Sequence, residues 1–498
     1  MIEVPYVRAP PGYVASGLVM VRHATYSAGY ISALLACAST AAGFSLGKQA
    51  VSATFDDLLG FKGEVSFPLR LVDFVETATM HGFHSAEVLL RSLVLQADTY
   101  LGQYGLSHEE LLLLLNPGSA SSALYLSTTV VTNLFRKTMK QGTIAELVKG
   151  FKRLSVVHEQ QKMLGLDSIR GNSFRNGLVS KQQVDTWEWG FNIALCACGA
   201  QMLKFLGFLS QSMSDTEAIA SIAGIDDVLA ASWSSDVYKP AHFVGIDYEK
   251  RAIVVSIRGT MQVRDILTDL VCEQTSFESV ESDDVTDFVQ VQGKVHKGFL
   301  ESAMYLSVEL LGTVVTALNA NPGFSVFICG HSLGGGVASL LTLIWARKEA
   351  FRSRSTRIRG LAYGAPCSVC PDLASTPFTR KYVTSIVLDD DFVSRLSLGS
   401  ATESFMHAIK LGQEKTGCLQ RHTEIANEIV SEAEELKLYP AGQVFHLMHN
   451  STRDPTSFSR INISSSMFTV HMPNRYYDEI KKLKAEVYEN NKVDLLVD

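Results

Sequence analysis

From about Tyr238 onward, short β-rich runs recur with helical stretches between most of them: "AHFVGI", "AIVVSI", "FSVFIC", "GLAYG", "YVTSIVL" and "QVFHLM". Runs this apolar read as strands covered on both faces, and strands that alternate with helices build a mostly parallel sheet between helical layers. In such folds the reactive groups gather beyond the carboxyl ends of the strands. Up to about residue 215 the rhythm is helical instead. "SAEVLLRSLVLQADTYL" and "TIAELVKGFKRLSVVHEQQKML" space their apolar residues three and four apart. A chain of 498 residues exceeds one ordinary compact domain. We therefore expect a mainly helical region over 1–185 with a possible role at membranes, an α/β domain over 186–480 and a tail over 481–498.

Charge and cysteine content narrow the partners. Lysine and arginine total 44 against 51 acidic residues, a net charge of -7, which gives no basic surface for nucleic acid. The mean hydropathy of +0.12 is oily for a soluble chain. It fits contact with lipid, and equally a large buried core. Eight cysteines are too few for a disulfide scaffold, and Cys37, Cys196, Cys198 and Cys329 sit within apolar runs as buried small hydrophobes. Cys367 and Cys370 form a lone C-x-x-C without a second pair or histidines at ligand spacing, so no metal and no cofactor is expected. The first residues, "MIEVPYVRAPPGYV", lack the pattern of a secretory signal. The expectation is an intracellular protein, cytoplasmic or peripheral to a membrane. Ala24–Gly47 is long enough for one N-terminal span, but its Ala, Ser, Thr, Gly and Tyr content favours a helix pair packed on protein.

One corner carries the chemistry. "FSVFIC" leads through Gly330-His331-Ser332-Leu333-Gly334 into a helix over Gly335–Arg347. A G-x-S-x-G turn between strand and helix holds its serine on a sharp corner above the sheet. There the helix N-terminus points N–H groups at any developing anion. Such a serine needs a base, and the base needs an orienting acid, in the order serine, acid, histidine. "YVTSIVLDDDFVSRLS" ends a strand in Asp389, Asp390 and Asp391; one of them is placed as the acid and the other two read as solvated loop charge. Five histidines follow. His407 and His422 read as surface residues of helices, His446 as a structural histidine within a strand, and His449 comes just after that strand. His471, in a loop after the last strand-like segments and before a terminal helix, is the expected base. The oxyanion donors are expected at the Leu333 N–H, next to the serine, and at Thr260, which follows Gly259 at the end of "AIVVSIRGT".

Taken in order, "PAHFVGIDYEKRAIVVSIRGT", "DILTDL", "VHKGFLESA", "GHSLGGG", "YGAP", "DFVSRL", "YPAGQVFHL" and "FTVHMPNRYYDEI" resemble the class 3 lipases over roughly Trp187–Ile480, most closely the sn-1-specific diacylglycerol lipase branch. The resemblance implies an α/β-hydrolase fold and a Ser/Asp/His triad. It selects Asp391, which directly precedes a hydrophobic-Val-x-Arg run in which Ser394 replaces the family's proline. It also implies hydrolysis of a glycerolipid ester, for the branch it most resembles diacylglycerol to monoacylglycerol and fatty acid, at a membrane or lipid-droplet surface. Phospholipase A1 or monoacylglycerol hydrolysis is the alternative within this chemistry, and a catalytically silent lipid-binding scaffold the alternative outside it. The resemblance also implies a helix that covers the site, and "MQVRDILTDL" after Thr260 has the amphipathic spacing for such a lid, or equally for an ordinary buried helix. Between Leu134 and Leu154 six basic residues, among them Lys149, Lys152 and Arg153, face a single Glu146. That helix could lie on an anionic leaflet, or pack its apolar side on protein.

Overall fold

The computed structural model describes residues 142–163, 179–235, 238–259, 274–278, 292–353, 356–447, 451–464, 466–467 and 469–493. Ala24–Gly47, the basic residues before Gly142, Thr260, the lid segment after it and His449 lie outside the described residues. The chain divides into two compact units, one of Met1–Val157 with Phe405–Asn427, the other of His158–Ser404 with Glu428–Asp498.

Helix α1 (Ile144–Met163) starts in the first unit, where it contributes Leu147, Phe151 and Leu154 as buried side chains, and its last turns, from His158 on, belong to the second. The Phe151 and Phe405 rings meet edge to face at 5.6 Å. Gly150 passes so close to the Ala408 carbonyl that no side chain would fit. The basic residues do local work here. Arg153 Nη1 donates to the Leu411 and Glu414 carbonyls at 2.6 and 2.7 Å, and Lys149 Nζ donates to that of Glu414 at 3.5 Å. Last-turn carbonyls of a helix lack intrahelical partners, so these cations satisfy them. The described part of the basic stretch thus packs its apolar side on protein.

The second unit is built on an eight-stranded sheet. Its strands are β1 (Asp227–Ser232), β2 (His242–Asp247), β3 (Ala252–Ile257), β6 (Ser325–His331), β7 (Ile358–Tyr363), β8 (Val383–Val387), β9 (Gln443–His446) and β10 (Ser451–Arg453), hydrogen-bonded in that order. The pairs β3–β6, β6–β7, β7–β8 and β8–β9 are parallel, while β1–β2, β2–β3 and β9–β10 are antiparallel. A separate ribbon pairs β4 (Gln274–Glu278) with β5 (Gln292–His296). Every residue of β2 and β3 is buried, as continuous apolar strands require when helices cover both faces. This is the α/β-hydrolase arrangement, a mostly parallel sheet flanked by helices. The six expected strands are present; β1 and β10, which carry no comparable apolar run, extend the two edges.

Helices α2 (Lys181–Cys196), α3 (Asp215–Ala223), α4 (Lys297–Ala320) and α5 (Leu333–Trp345) pack in this unit, followed by α6 (Leu398–Gln413), which runs on into the first unit, and α7 (Leu419–Ala426), which belongs to it. Helix α8 (Pro473–Val493) closes the described chain and runs through residue 480. Ser180 and Ser214 start α2 and α3 with reciprocal capping boxes to Gln183 and Glu217. Among the described residues α4 alone is long and apolar enough to cross a membrane. Its Phe299, Ala303, Leu306, Leu310 and Val314 are buried, and Trp345 Nε1 of α5 donates to Ser307 Oγ at 2.9 Å. Helix α5 has no solvent-facing side over most of its length. Gly334–Leu343 are all buried, because neighbouring elements enclose the helix next to the sheet.

Candidate active site

The end of β6 places Ser332 at the start of α5 with φ 58°, a left-handed conformation that non-glycine residues seldom adopt. Two close approaches force the corner. A Cβ on Gly330 would collide with the Gly334 backbone, and one on Gly334 with the Ile257 carbonyl of β3. Ser332 N donates to the Tyr363 carbonyl at 2.8 Å, which ties the corner to β7. Leu333 opens the helix, so its N–H is one of the first-turn donors with no intrahelical partner. The chain leaving β3 runs alongside: a Cβ on Gly259 would lie 3.0 Å from that of Ser332.

The loop after β8 supplies Asp391, which is wholly buried. His471 comes from the segment just before α8. Its Nε2 lies 3.0 Å from Ser332 Oγ, and its Nδ1 lies 3.0 and 2.9 Å from the two Asp391 carboxylate oxygens. Ser332, His471 and Asp391 thus form one hydrogen-bonded chain, although 139 and 80 residues separate its links. A carboxylate only accepts, so Nδ1 carries the proton and Nε2 is free to take the one on Ser332. Burial pushes the Asp391 carboxyl up, but the charge and hydrogen bond of His471, with those of Tyr476 and the Val393 amide, hold it below the usual carboxylate range.

Three supporting groups escaped the sequence reading. Tyr476 of α8 donates its hydroxyl to Asp391 Oδ2 at 2.6 Å and accepts from Leu388 N at 3.0 Å. Ser394 Oγ donates to the same carboxylate oxygen at 3.3 Å, a bond the family's proline could not make. His331 Nε2 lies 3.0 Å from the His471 carbonyl and its ring stacks on His471 at 4.8 Å. A carbonyl only accepts, so His331 is the donor. Burial first, and then the neighbouring His471, push the His331 imidazole down to about 3, which keeps it neutral. A histidine directly before the serine was the one available signal for this contact.

Other expectations need correction. Asp389 and Asp390 are not solvated loop charge: Lys162 Nζ bridges them at 2.7 and 2.8 Å, and Asp390 is buried. His407 and His422 are buried rather than on the surface; His422 Nε2 lies 3.1 Å from the Thr416 carbonyl. Their helical sequence looks polar, but the histidines occupy its inner side. His446 is structural, with Nε2 2.9 Å from the Asp389 carbonyl. Cys196 and Cys329 are buried, and burial pushes the partly buried Cys198 thiol up to about 11. No group of three or more metal-ligating side chains occurs among the described residues.

Residues 254–400 match the profile of the family described as "Lipase (class 3)". Human "Diacylglycerol lipase-alpha" is 24% identical over 361 residues, 60% of this chain and 32% of that protein. Mouse "Diacylglycerol lipase-beta" is 30% identical over 175 residues, 34% of this chain and 24% of that protein. The "Secreted mono- and diacylglycerol lipase 1" of Fusarium solani is 35% identical over 109 residues, covering 22% of this chain and 29% of that one. The matched stretch therefore spans a third or less of these relatives. A Rhizomucor miehei lipase propeptide complex aligns at TM-score 0.38 with 20% identity, covering 57% of this chain and 78% of that one. The fold assignment rests on the strand order above.

Proposed function

We propose that this chain, whose residues 254–400 match the class 3 lipase profile, is a serine hydrolase of glycerolipid esters. Its substrate on this reading is diacylglycerol at a membrane or droplet surface, as the names of the two mammalian relatives indicate for those proteins. The observation that carries it is the buried Ser332–His471–Asp391 chain with 3.0 and 2.9 Å links.

The reaction follows from the proton positions. His471 Nε2 takes the Ser332 proton as Oγ attacks the acyl carbonyl, and Asp391 stabilises the imidazolium that forms. The oxyanion faces the first-turn N–H of Leu333, with Thr260 proposed as the second donor. The ester C–O bond then breaks. The glycerol oxygen takes the proton from His471 and leaves an acyl group on Ser332. Water, deprotonated by His471, attacks that acyl group, and fatty acid departs as Oγ regains a proton.

Fluorophosphonate labelling followed by a lipid panel tests the reading. Ser332→Ala should abolish labelling and cost on the order of a million-fold in turnover while the protein stays folded. Wild-type protein that takes no probe and cleaves no ester would mark a silent lipid-binding scaffold. Preferred cleavage of a phospholipid or a monoacylglycerol would move the substrate within the same chemistry.

A further inference from the structure

The last two turns of α1 precede the family-matched residues, yet their side chains reach the loops that carry the acid and the base. Lys162 Nζ lies 2.7 Å from Asp389 Oδ1 and 2.8 Å from Asp390 Oδ2, immediately before Asp391. His158 Nδ1 accepts from the Ile463 amide at 2.8 Å, on the chain that leads to His471. The two loops are also tied directly. Asn462 Nδ2 donates to Asp390 Oδ1 at 3.0 Å, and Phe392 N donates to the Met467 carbonyl at 3.2 Å.

We infer that Lys162 and His158 are positioning residues for the acid–base pair: α1 clamps the Asp389–Asp391 turn and the Asn462–Ile463 segment together, and so sets the distance between Asp391 and His471. Two physical points support this. Asp389 sits at φ 42°, in the left-handed region, a strained turn that surrounding contacts must hold. Next, three adjacent carboxylates repel one another. The buried guanidinium of Arg395 adds its charge nearby and stacks on the Phe458 ring, but its hydrogen bond in this turn is a 3.4 Å contact with the Asp389 carbonyl rather than with a carboxylate. Lys162 is hydrogen-bonded to both of the carboxylates that precede Asp391. Without it, Asp389 and Asp390 would turn toward other donors and take the Asp391 backbone with them.

The inference rests on the proposed hydrolase reading for its kinetic consequence, but not for its structural one, so two readouts separate them. In the full chain, Lys162→Met should raise amide exchange in peptides covering Leu388–Val393 and Asn462–Ile463 by roughly ten-fold, with β3 and β6 unchanged. On a soluble ester the same variant should lose about ten-fold in kcat at constant KM, and Lys162→Arg should recover most of it. A merely structural lysine would lower the melting temperature and leave kcat below the melt intact. Unchanged exchange in both peptides overturns the clamp even if the wild-type protein hydrolyses nothing. Unchanged kcat in a Lys162→Met protein whose wild type is active overturns its role in positioning.

Discussion

Tyr476 and His471 share Oδ2 of Asp391, one through a 2.6 Å hydroxyl bond and the other through a 2.9 Å ring bond. His471 directly precedes α8 and Tyr476 lies in its first turn, so the segment that delivers the base also orients the acid. Tyr476→Phe deletes that bond and leaves the Leu388 amide without its acceptor, at a cost of about 1–3 kcal/mol in stability. On the proposed reading it should lower kcat by about ten-fold with little change in KM, because the carboxylate acts on a charge that develops only during reaction. Steady-state kinetics on a soluble ester, with a thermal melt alongside, check this. Wild-type kcat in the variant would reduce Tyr476 to a packing residue. The residue types of this site were readable from sequence: a serine between glycines, aspartates ending a strand, a histidine after the last one. Among the three aspartates only the resemblance to the class 3 lipases selected Asp391, since three in a row differ only in the direction the turn gives them. Asp389 and Asp390 turn to Lys162, and Asp391 turns inward.

At the scale of elements, the β6–α5 corner is set by backbone contact rather than by side chains. A Cβ on Gly334 would overlap the Ile257 carbonyl in the neighbouring strand. Gly334→Ala should therefore cost about 3 kcal/mol or more in urea unfolding, since neither backbone can retreat without opening the β3–β6 ladder. An alanine variant of wild-type stability would show that the corner has slack. Helix α4 supplies a second test. Its composition fits a membrane span, but only one side faces water: Val308 is 85% exposed, while Leu310 is 2% exposed. Val308→Asp should leave the fold intact and Leu310→Asp should lose about 3 kcal/mol or more by burying a carboxyl without a partner. A helix that spans a bilayer would resent the first substitution as much as the second. In the first unit, Arg153→Glu removes two bonds to the Leu411 and Glu414 carbonyls and puts an anion at a helix C-terminus. A stability loss of about 1–2 kcal/mol is expected there, measured by thermal melt.

For the whole molecule, acid is the informative stress. His331 is held neutral down to about 3 in the folded chain against an ordinary 6.5. Below pH 6.5 the unfolded chain takes up a proton that the native chain refuses, so this group makes stability fall as pH drops from 6.5 toward 3. Asp390 and Asp391, both held below 3.8, act lower. Their contribution is full above 3.8 and is lost as pH falls through their folded values. Urea midpoints should therefore decline between pH 6.5 and 4 before the carboxylates titrate, with His331 contributing at most about 1.4 kcal/mol per pH unit. His331→Gln keeps a donor for the His471 carbonyl and removes the titration, so its slope over that interval should be shallower. Identical slopes would mean that His331 takes up a proton as readily in the folded chain as in the unfolded one.

The sequence by itself determined the alternation of strands and helices and the strand–serine–helix corner. Those are local properties, written in apolar period and in glycines that no other residue can replace. It also carried the side-chain types of the triad, because a hydroxyl, an imidazole and a carboxylate are what the chemistry needs. The tertiary structure alone decided which groups support them. Tyr476, His331, Lys162 and His158 act on Asp391, His471 or their loops from positions far along the chain or on a different element. No periodicity or motif records a contact that exists only once the sheet has brought separate strand ends together. Burial was decided there as well. His422 and Asp390 have polar neighbours in sequence, and only the packing of other elements over them removes them from water.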